Sequence, residues 1–176
     1  FPMIIRRADC ENDISAAAEI YAEIHTEEEA GRAVTGWSRA IYPRERDARL
    51  SFEKGELFVM ETEEGVVASA RINREQVDVY ARARWSVDAP DGEVMVLHTL
   101  TVSPRCSGRG YASEFVKFYE AYAMEHGCRY LRIDTNERNL KARRLYKRLG
   151  YTEADIVPCE FNGISGVNLV CLEKTL

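Results

Sequence analysis

The segment most informative about chemistry is a glycine-containing loop, Leu100-Thr-Val-Ser-Pro-Arg-Cys-Ser-Gly-Arg-Gly-Tyr-Ala112. It follows an apolar, β-branched run that predicts a strand, and it precedes a helical pattern of apolar residues. Gly108 and Gly110 let the backbone approach a ligand closely, and the first turn of a helix leaves its N–H groups unpaired. Because such donors lie at the positive end of the helix dipole, the segment predicts a phosphate or pyrophosphate site. The alternative is a strand-to-helix turn that binds nothing.

Two common phosphate loops do not fit this spacing. A Walker A loop needs a lysine directly after its last glycine, but Tyr111 follows Gly110. A dinucleotide-binding fingerprint places its first glycine close behind the strand and a third Gly or Ala three residues after the second glycine. Here Pro104 separates the strand from the glycines, and the third position is Ser113. The loop is therefore of another kind.

A second group of residues with chemical potential is Asn139-x-x-Ala142-x-x-x-Tyr146-x-x-x-Gly150-Tyr151. By itself, this helical pattern has a structural interpretation, in which Asn139 is an N-cap, Ala142 a close-packing residue and Tyr146 a core aromatic. A tyrosine also keeps its proton at neutral pH, so Tyr146 is able to supply one to a leaving group. Both interpretations stay open at this level.

The elements that must position these segments follow from hydrophobic periodicity and turn residues. A helix is predicted at Asp13–Ile24, another from the glycine loop to Gly127, a third at Asn139–Leu149, and one or two more within residues 26–53. Residues 73–92 read as irregular. Strands are predicted at Met3–Arg7, Leu57–Thr62, Val66–Ile72, Glu93–Val102, Tyr130–Thr135, Glu153–Phe161 and Val167–Glu173. The sum is an α/β (α+β) domain spanning residues 1–176, with a mixed, mostly antiparallel twisted sheet of about seven strands and about four helices.

Composition narrows the class of protein. A chain of 176 residues with 45% hydrophobic and 30% charged residues is typical of one globular domain. The net charge of −5 argues against a nucleic-acid partner, and no apolar run is long enough to span a membrane. Five widely spaced cysteines without a C-x-x-C pair predict reduced thiols and a cytoplasmic location. Three histidines far apart in sequence give a metal site little to build on, so no metal is expected.

Together, the two motifs resemble those of the GNAT superfamily, the acyl-CoA-dependent N-acyltransferases. The residues that carry the resemblance are Val102-x-Pro104-Arg105-x-x-Gly108-x-Gly110 and the downstream motif from Asn139 to Tyr151. Their order and separation, with one helix and one strand between them, are similar to those of the family. The resemblance covers nearly the whole chain, and it is weakest from Thr26 to Arg49, where acceptor specificity usually sits. It implies a GNAT-like fold and acetyl-CoA (coenzyme A) as co-substrate.

The resemblance also implies roles for individual residues. The strand main chain would pair with the pantetheine arm, the loop amides would hold the pyrophosphate, and Asn139 would contact the CoA arm. Tyr146 matches the tyrosine whose hydroxyl lies near the thioester sulfur. The cofactor-binding residues predicted in this way are Leu100, Thr101, Val102, Arg105, Cys106, Ser107, Gly108, Arg109, Gly110, Tyr111, Ala112, Asn139, Ala142 and Tyr146.

Acyl transfer from a thioester to an amine requires a neutral amine, a stabilised oxyanion and a protonated leaving thiol. Tyr146 is predicted to be the general acid, and a strand amide near Leu100 the oxyanion donor. For the base, His98 is predicted first because it lies near the presumed thioester and has a suitable ordinary pKa; the alternative is a packed strand histidine. Glu93, acting through water, is the reserve. On a regular strand only one of the two faces the cleft, since they are five residues apart.

The sequence therefore predicts an N-acetyltransferase that moves an acetyl group from acetyl-CoA to a primary amine of a small molecule or an exposed protein amine. An alternative is a GNAT-fold module that senses acyl-CoA without turnover, and a third hypothesis is a nucleotide-binding regulator. The presence of both Tyr146 and His98 favours the enzyme, since a sensor needs no proton donor at the sulfur. No membrane partner is predicted, and a homodimer is left open.

Overall fold

The computed structural model describes residues 2–176, which form one seven-stranded sheet and four α-helices. The helices are α1 (Glu11–Glu29), α2 (Glu45–Glu53), α3 (Tyr111–Glu125) and α4 (Leu140–Arg148). The strands are β1 (Ile4–Arg7), β2 (Leu57–Thr62), β3 (Gly65–Asn73), β4 (Val94–Val102), β5 (Tyr130–Asn136), β6 (Thr152–Phe161) and β7 (Ile164–Thr175).

The strand order is β1-β2-β3-β4-β5-β7-β6. Neighbouring strands are antiparallel, apart from the pair β4 and β5, which runs parallel. Two parallel neighbours need a crossover connection, and α3 supplies it. The predicted sheet, mixed and mostly antiparallel with one strand–helix–strand unit, is confirmed.

The core lies on both faces of the sheet because strand residues alternate between them. In β2, Phe58 and Met60 pack in the cluster beneath α3 and α4, whereas Leu57 and Val59 pack against α1 and α2. The aromatic residues of α3 lie in or against this core. Tyr119 is fully buried, and its hydroxyl donates to the backbone carbonyl of Met95 at 2.6 Å. The site described below therefore rests on a sheet that is covered on both sides.

Element boundaries differ from the prediction mainly around α1. The helix continues past Ile24 to Glu29, because glutamates are good helix formers, and Gly31 with φ 76° follows its end. Residues 30–44, here called the α1–α2 connection, contain no α-helix, so 26–53 holds only the end of α1 and α2. The prediction that β4 begins at Glu93 is wrong, since the strand begins at Val94.

Residues 74–93, which join β3 to β4, are irregular as predicted, with two short 3-10 turns. We call this segment the β3–β4 excursion. Arg132 of β5 holds it in place: its guanidinium donates to Gln76 Oε1 at 2.6 Å and to the Val87 carbonyl at 2.8 Å, and it lies 4.1 Å from the centroid of the Trp85 ring. A charged group with two hydrogen bonds and a cation–π contact fixes the excursion on the sheet.

Within residues 2–176, none of the helices combines the length and the apolar character needed to cross a bilayer.

Candidate active site

The parallel strands β4 and β5 separate part of the way along their length. Their ladder runs from the pair Val94–Tyr130 to the pair Leu97–Ile133, although β4 continues to Val102 and β5 to Asn136. From residue 98 onward, one side of β4 faces a gap instead of a strand. Backbone amides and carbonyls along such an edge can pair with an extended ligand as if it were an added strand.

A β-bulge deforms β4 where the gap begins. His98 pairs with Arg71 and Thr101 pairs with Ser69, so two residues of β4, Thr99 and Leu100, lie opposite one residue of β3. Thr99 has φ 51°, which is a rare value for a β-branched residue. Its Oγ1 lies 2.5 Å from the hydroxyl of Tyr42 in the α1–α2 connection. The bulge follows His98, so it does not bring Glu93 and His98 to the same face.

The glycine loop has the geometry that its sequence predicted. Gly108 and Gly110 have φ values of 78° and 77°, a region in which a side chain is strained. A Cβ at either position would meet no atom within 4 Å, so the surrounding space is open. Gly110 is the N-cap of α3, whose first turn begins at Tyr111. The unpaired N–H groups of a helix start are therefore next to an open, glycine-lined loop.

Basic side chains surround this loop but are paired with carboxylates. Arg105 Nε donates to Glu23 Oε2 at 2.7 Å, and Arg109 Nη1 donates to Glu64 Oε2 at 2.6 Å. Burial of Cys106 raises the pKa of its thiol, so this cysteine is a neutral filler of the loop rather than a nucleophile. An incoming anion would compete with both carboxylates for the arginines.

Tyr146 lies on α4 and Asn139 directly before it, as the sequence motif predicted. Tyr146 is 5% exposed, and its burial raises the pKa of the phenol above the ordinary value, which keeps it protonated at neutral pH. Asn139 Oδ1 accepts from the Ala142 N–H at 3.2 Å and so caps the helix. Asn139, Ala142 and Tyr146 also line a cavity of about 100 Å³ at the mouth of the gap between β4 and β5. These residues therefore have the structural roles that the helical pattern indicated, and they also lie at the cavity.

The cavity walls come from seven parts of the chain. They are β3, β4, β5, α4, the α1–α2 connection, the β3–β4 excursion and the β6–β7 hairpin. Representative lining residues are Arg71, His98, Asp134, Tyr146, Tyr42 and Phe161.

His98 lines the cavity but is largely sealed, with 6% of its surface exposed. Its Nε2 lies 2.7 Å from Asn73 Oδ1, which also accepts the Glu75 N–H, so Nε2 is the donor and carries the proton. Burial, with a smaller contribution from Arg71, lowers the pKa of His98 to about 3. The imidazole is neutral at pH 7, but its affinity for a further proton is low.

Glu93 does not reach this cavity. It ends a 3-10 turn, Asp91–Glu93, before the first residue of β4, and it is exposed to solvent. The gap lies at the opposite end of the strand, beyond Leu97. The expectation that Glu93 lies on the strand leading to the cleft is therefore wrong. That strand, β4, begins one residue after Glu93, and the cleft lies at its far end.

Two charged residues of the cavity were missed from the sequence. Asp134 lies in β5, and its Oδ2 accepts a hydrogen bond from the Tyr80 hydroxyl at 2.7 Å. Burial raises the pKa of this carboxyl to about 6. Arg71 lies in β3, where it pairs with Glu75 at 3.3 Å. The available signal was a charged residue within a strand, since strands of a parallel pair are normally apolar on both faces.

The α1–α2 connection covers the far side of the cavity. A Cβ added at Gly36 would collide with the side-chain amide of Asn136, at the end of β5. A Cβ at Gly163, in the β6–β7 turn, would lie 3.0 Å from the Ile41 side chain. Glu28 fixes the start of the connection by accepting the Thr35 N–H at 2.7 Å. The connection thus packs on two sides of the cavity and partly encloses it.

A group of side chains of types that can bind a metal lies away from the cavity, at the start of α1. Its members are Asp9, Cys10 and Asp13. The buried carboxylate of this group, Asp13, already accepts two hydrogen bonds from the Arg6 guanidinium, at 2.8 and 3.1 Å. Its charge is therefore compensated within the chain.

With this geometry in view, comparison with known proteins identifies the family. The model of the acetyltransferase (GNAT) family matches residues 16–151, which include the gap, the glycine loop and α4. The chain belongs to this family.

Individual relatives agree with that assignment. An uncharacterized N-acetyltransferase from Methanocaldococcus jannaschii is 26% identical over 127 residues, 72% of this chain, and the match spans about half of that relative's length, 54%. A GNAT acetyltransferase structure from Streptococcus agalactiae has a TM-score of 0.78 at 23% identity, with 99% of this chain and 95% of that chain covered. The structure of yncA from Salmonella typhimurium, solved with its cofactor acetyl-CoA, has a TM-score of 0.69 at 21% identity, covering 100% and 95%. Both solved structures share the fold of this chain.

Proposed function

We propose that this protein is an N-acetyltransferase that moves the acetyl group of acetyl-CoA to a primary amine of a small molecule. The observation that carries the proposal is the gap between β4 and β5. Its open edge from Leu100 to Val102 leads directly into the glycine loop, and the cavity at its mouth contains Tyr146. A strand edge, an anion-binding helix start and a proton donor are the three features that a thioester with a pyrophosphate tail requires.

Acetyl-CoA would be held along this line of features. The pantetheine arm would pair with the main chain of Leu100 to Val102, and the pyrophosphate would bind the amides from Gly108 to Ala112. Arg105 and Arg109 would exchange their carboxylate partners for phosphate oxygens, because charge-assisted hydrogen bonds to phosphate are strong. Lys141, whose Nζ lies 3.4 Å from Ser107 Oγ, adds a further positive charge at the loop.

The transfer itself needs one bond to form and one to break. The amine lone pair attacks the thioester carbonyl carbon, and the backbone N–H of Leu100, in the bulge, would stabilise the oxyanion. When the intermediate collapses, the C–S bond breaks and the Tyr146 hydroxyl gives its proton to the thiolate. Tyr146 suits this role because burial keeps its phenol protonated.

Enclosure of the cavity favours a small acceptor over a protein chain. The α1–α2 connection contacts both β5 and the β6–β7 turn, so a folded protein surface could not approach the thioester closely. Arg71 and Asp134 give the same small volume a positive and a negative group. A compact amine that also bears an anionic group would match both charges.

A screen tests the proposal. The protein would be incubated with acetyl-CoA and a panel of amines, polyamines, amino acids and peptides, and release of free CoA thiol would be measured. We expect turnover with a compact amine and none with peptides. If acetyl-CoA raises the melting temperature but no amine releases CoA, the sensor hypothesis replaces the enzyme. If NAD or ATP stabilises the protein and acetyl-CoA does not, both give way to the nucleotide-binding regulator.

A further inference from the structure

The cavity contains a carboxylate for which the mechanism above has no use. Asp134 lies in β5, one strand away from the open edge of β4, and it lines the same cavity as Tyr146 and His98. The residue directly opposite it on β7, Cys171, is fully buried, and Arg132, two residues earlier on the same face of β5, is buried as well. A carboxylate in such surroundings loses solvation, and the chain retains it at that cost.

We propose that Asp134 is the general base that takes the proton of the acceptor ammonium, and that Tyr80 of the β3–β4 excursion is the positioning residue that orients it. The inference rests on the proposed function, because a base is needed only if an amine is acetylated in this cavity. It replaces His98 and Glu93 in that role.

Geometry separates Asp134 from the two residues predicted first. Glu93 is exposed at the opposite end of β4. His98 is within the cavity, but its Nε2 is committed to Asn73, and its lowered pKa leaves it a weak base. Asp134 uses one carboxylate oxygen, Oδ2, to accept from Tyr80. Its other oxygen remains available to an ammonium in the cavity.

Opposing effects of the surroundings set the pKa of Asp134. Burial favours the neutral acid and raises the pKa to about 6, while the Tyr80 hydrogen bond and the Arg71 charge lower it. A base whose pKa lies just below working pH is ionised yet still able to hold a proton. The titratable and charged groups around it come from every neighbouring element: Arg71 of β3, Tyr80 of the excursion, His98 of β4, Tyr146 of α4, Cys159 of β6, Cys171 of β7 and Tyr42 of the α1–α2 connection.

The proton balance closes with two residues. The ammonium carries three protons, and the amide product keeps one. Asp134 takes the first before attack and later releases it to solvent. Tyr146 gives its own proton to the thiolate and regains the remaining nitrogen proton as the intermediate collapses. No oxidant, metal or further reactant is needed.

Tyr80 connects this base to the excursion. Its hydroxyl donates to Asp134, its ring packs edge-on against Trp85 at 5.0 Å, and its backbone carbonyl accepts the Trp85 indole N–H at 2.8 Å. Trp85 in turn lies beneath the guanidinium of Arg132. The excursion therefore holds the Tyr80 hydroxyl in a fixed place, and that hydroxyl fixes one oxygen of Asp134.

The experiment is a pH profile of kcat/KM and kcat for wild type, D134N and Y80F, with an acceptor from the amine screen. Wild type should lose activity as pH falls through about 6. D134N should lower kcat about a hundredfold or more and lose that acidic limb, with acetyl-CoA binding retained. Y80F should keep the limb but shift it upward by about one pH unit, because the hydrogen bond that favours the carboxylate is gone.

The control is D155N. Asp155 lies on β6 and also anchors the excursion, through Arg84, but it is outside the cavity lining. Its pH profile should match wild type. If D134N retains the limb near pH 6, or Y80F leaves it unmoved, the inference is wrong while the acetyltransferase stands. If D134N does not fold, Y80F decides alone. If wild type acetylates no amine, the proposed function is wrong, and the inference that rests on it is wrong as well.

Discussion

Leu97 and Ile133 form the last pair of the parallel ladder between β4 and β5. Beyond that pair the two strands separate, and each continues toward a different partner in the site. β4 leads through Leu100 into the glycine loop, and β5 brings Asp134 to the cavity wall. One point of strand separation thus creates both the open edge proposed for the thioester arm and the position of the group proposed to take the proton.

Valine substitutions at Gly108 and Gly110 should abolish the stabilisation that acetyl-CoA gives. Both glycines have positive φ values in which a β-branched residue is strained, and a side chain would enter the open space proposed for the pyrophosphate. In wild type, ligand at 100 times its Kd should add about 2.7 kcal/mol to the free energy of unfolding. Thermal melting with and without acetyl-CoA measures the difference. The control is Gly127→Val at the other end of α3, where φ is also positive (74°) and the ligand response should persist.

Replacing Tyr146 by phenylalanine should lower kcat by about a hundredfold or more and leave acetyl-CoA binding unchanged, since only a hydroxyl is removed. Steady-state kinetics and a thermal shift measure the two properties separately. The matched control is Tyr151→Phe. The ring centroids of Tyr151 and Tyr146 are 6.0 Å apart, but the Tyr151 hydroxyl donates to Glu120. Equal turnover in wild type and Tyr146→Phe would leave Tyr146 as a core residue.

Gly36→Ala should raise the KM for the acceptor amine and leave acetyl-CoA binding intact. The new methyl group would collide with Asn136 and push the α1–α2 connection away from β5. Initial rates at varied acceptor concentration, together with ligand-induced stabilisation, distinguish the two sites. Gly31→Ala is the control, because φ there is also positive (76°) but no atom lies within 4 Å. An unchanged acceptor KM in Gly36→Ala would show that this contact does not shape the acceptor site.

His98 should make the protein less stable at mildly acidic pH. Because its pKa is lowered to about 3 from 6.5, the unfolded chain binds a proton at a pH where the folded chain does not. The contribution of His98 is fully present above pH 6.5 and is lost as pH falls toward 3, by about 2 kcal/mol at pH 5. The other titrations are common to both proteins, so the difference between wild type and His98→Gln isolates this one.

Urea unfolding between pH 7.5 and pH 5 measures that difference. His98→Gln should be less stable than wild type at pH 7.5, because the substitution removes the contact with Asn73. The difference between the two free energies of unfolding should shrink as pH falls. His126→Gln, at an exposed position, should follow the wild-type slope. Parallel slopes for wild type and His98→Gln would mean that the histidine is not sealed as the structure has it.

Much of this protein is determined locally by the sequence. Strand alternation, the aromatic face of α3, and the glycine loop followed by a helix all depend on residues close together in the chain, so periodicity and turn chemistry predict them. The same holds for Asn139 as a helix cap and for Tyr146 on the following turn. For that reason the fold class and the family could be predicted from the sequence.

Only the tertiary structure decided which groups can exchange protons in the cavity. The contact between His98 and Asn73 spans 25 residues, and that between Tyr80 and Asp134 spans 54. The pKa of a side chain depends on burial and on the charges around it, which are set by such distant contacts rather than by neighbours in sequence. Sequence position therefore favoured His98, and packing made it a weak base while it gave Asp134 a suitable proton affinity.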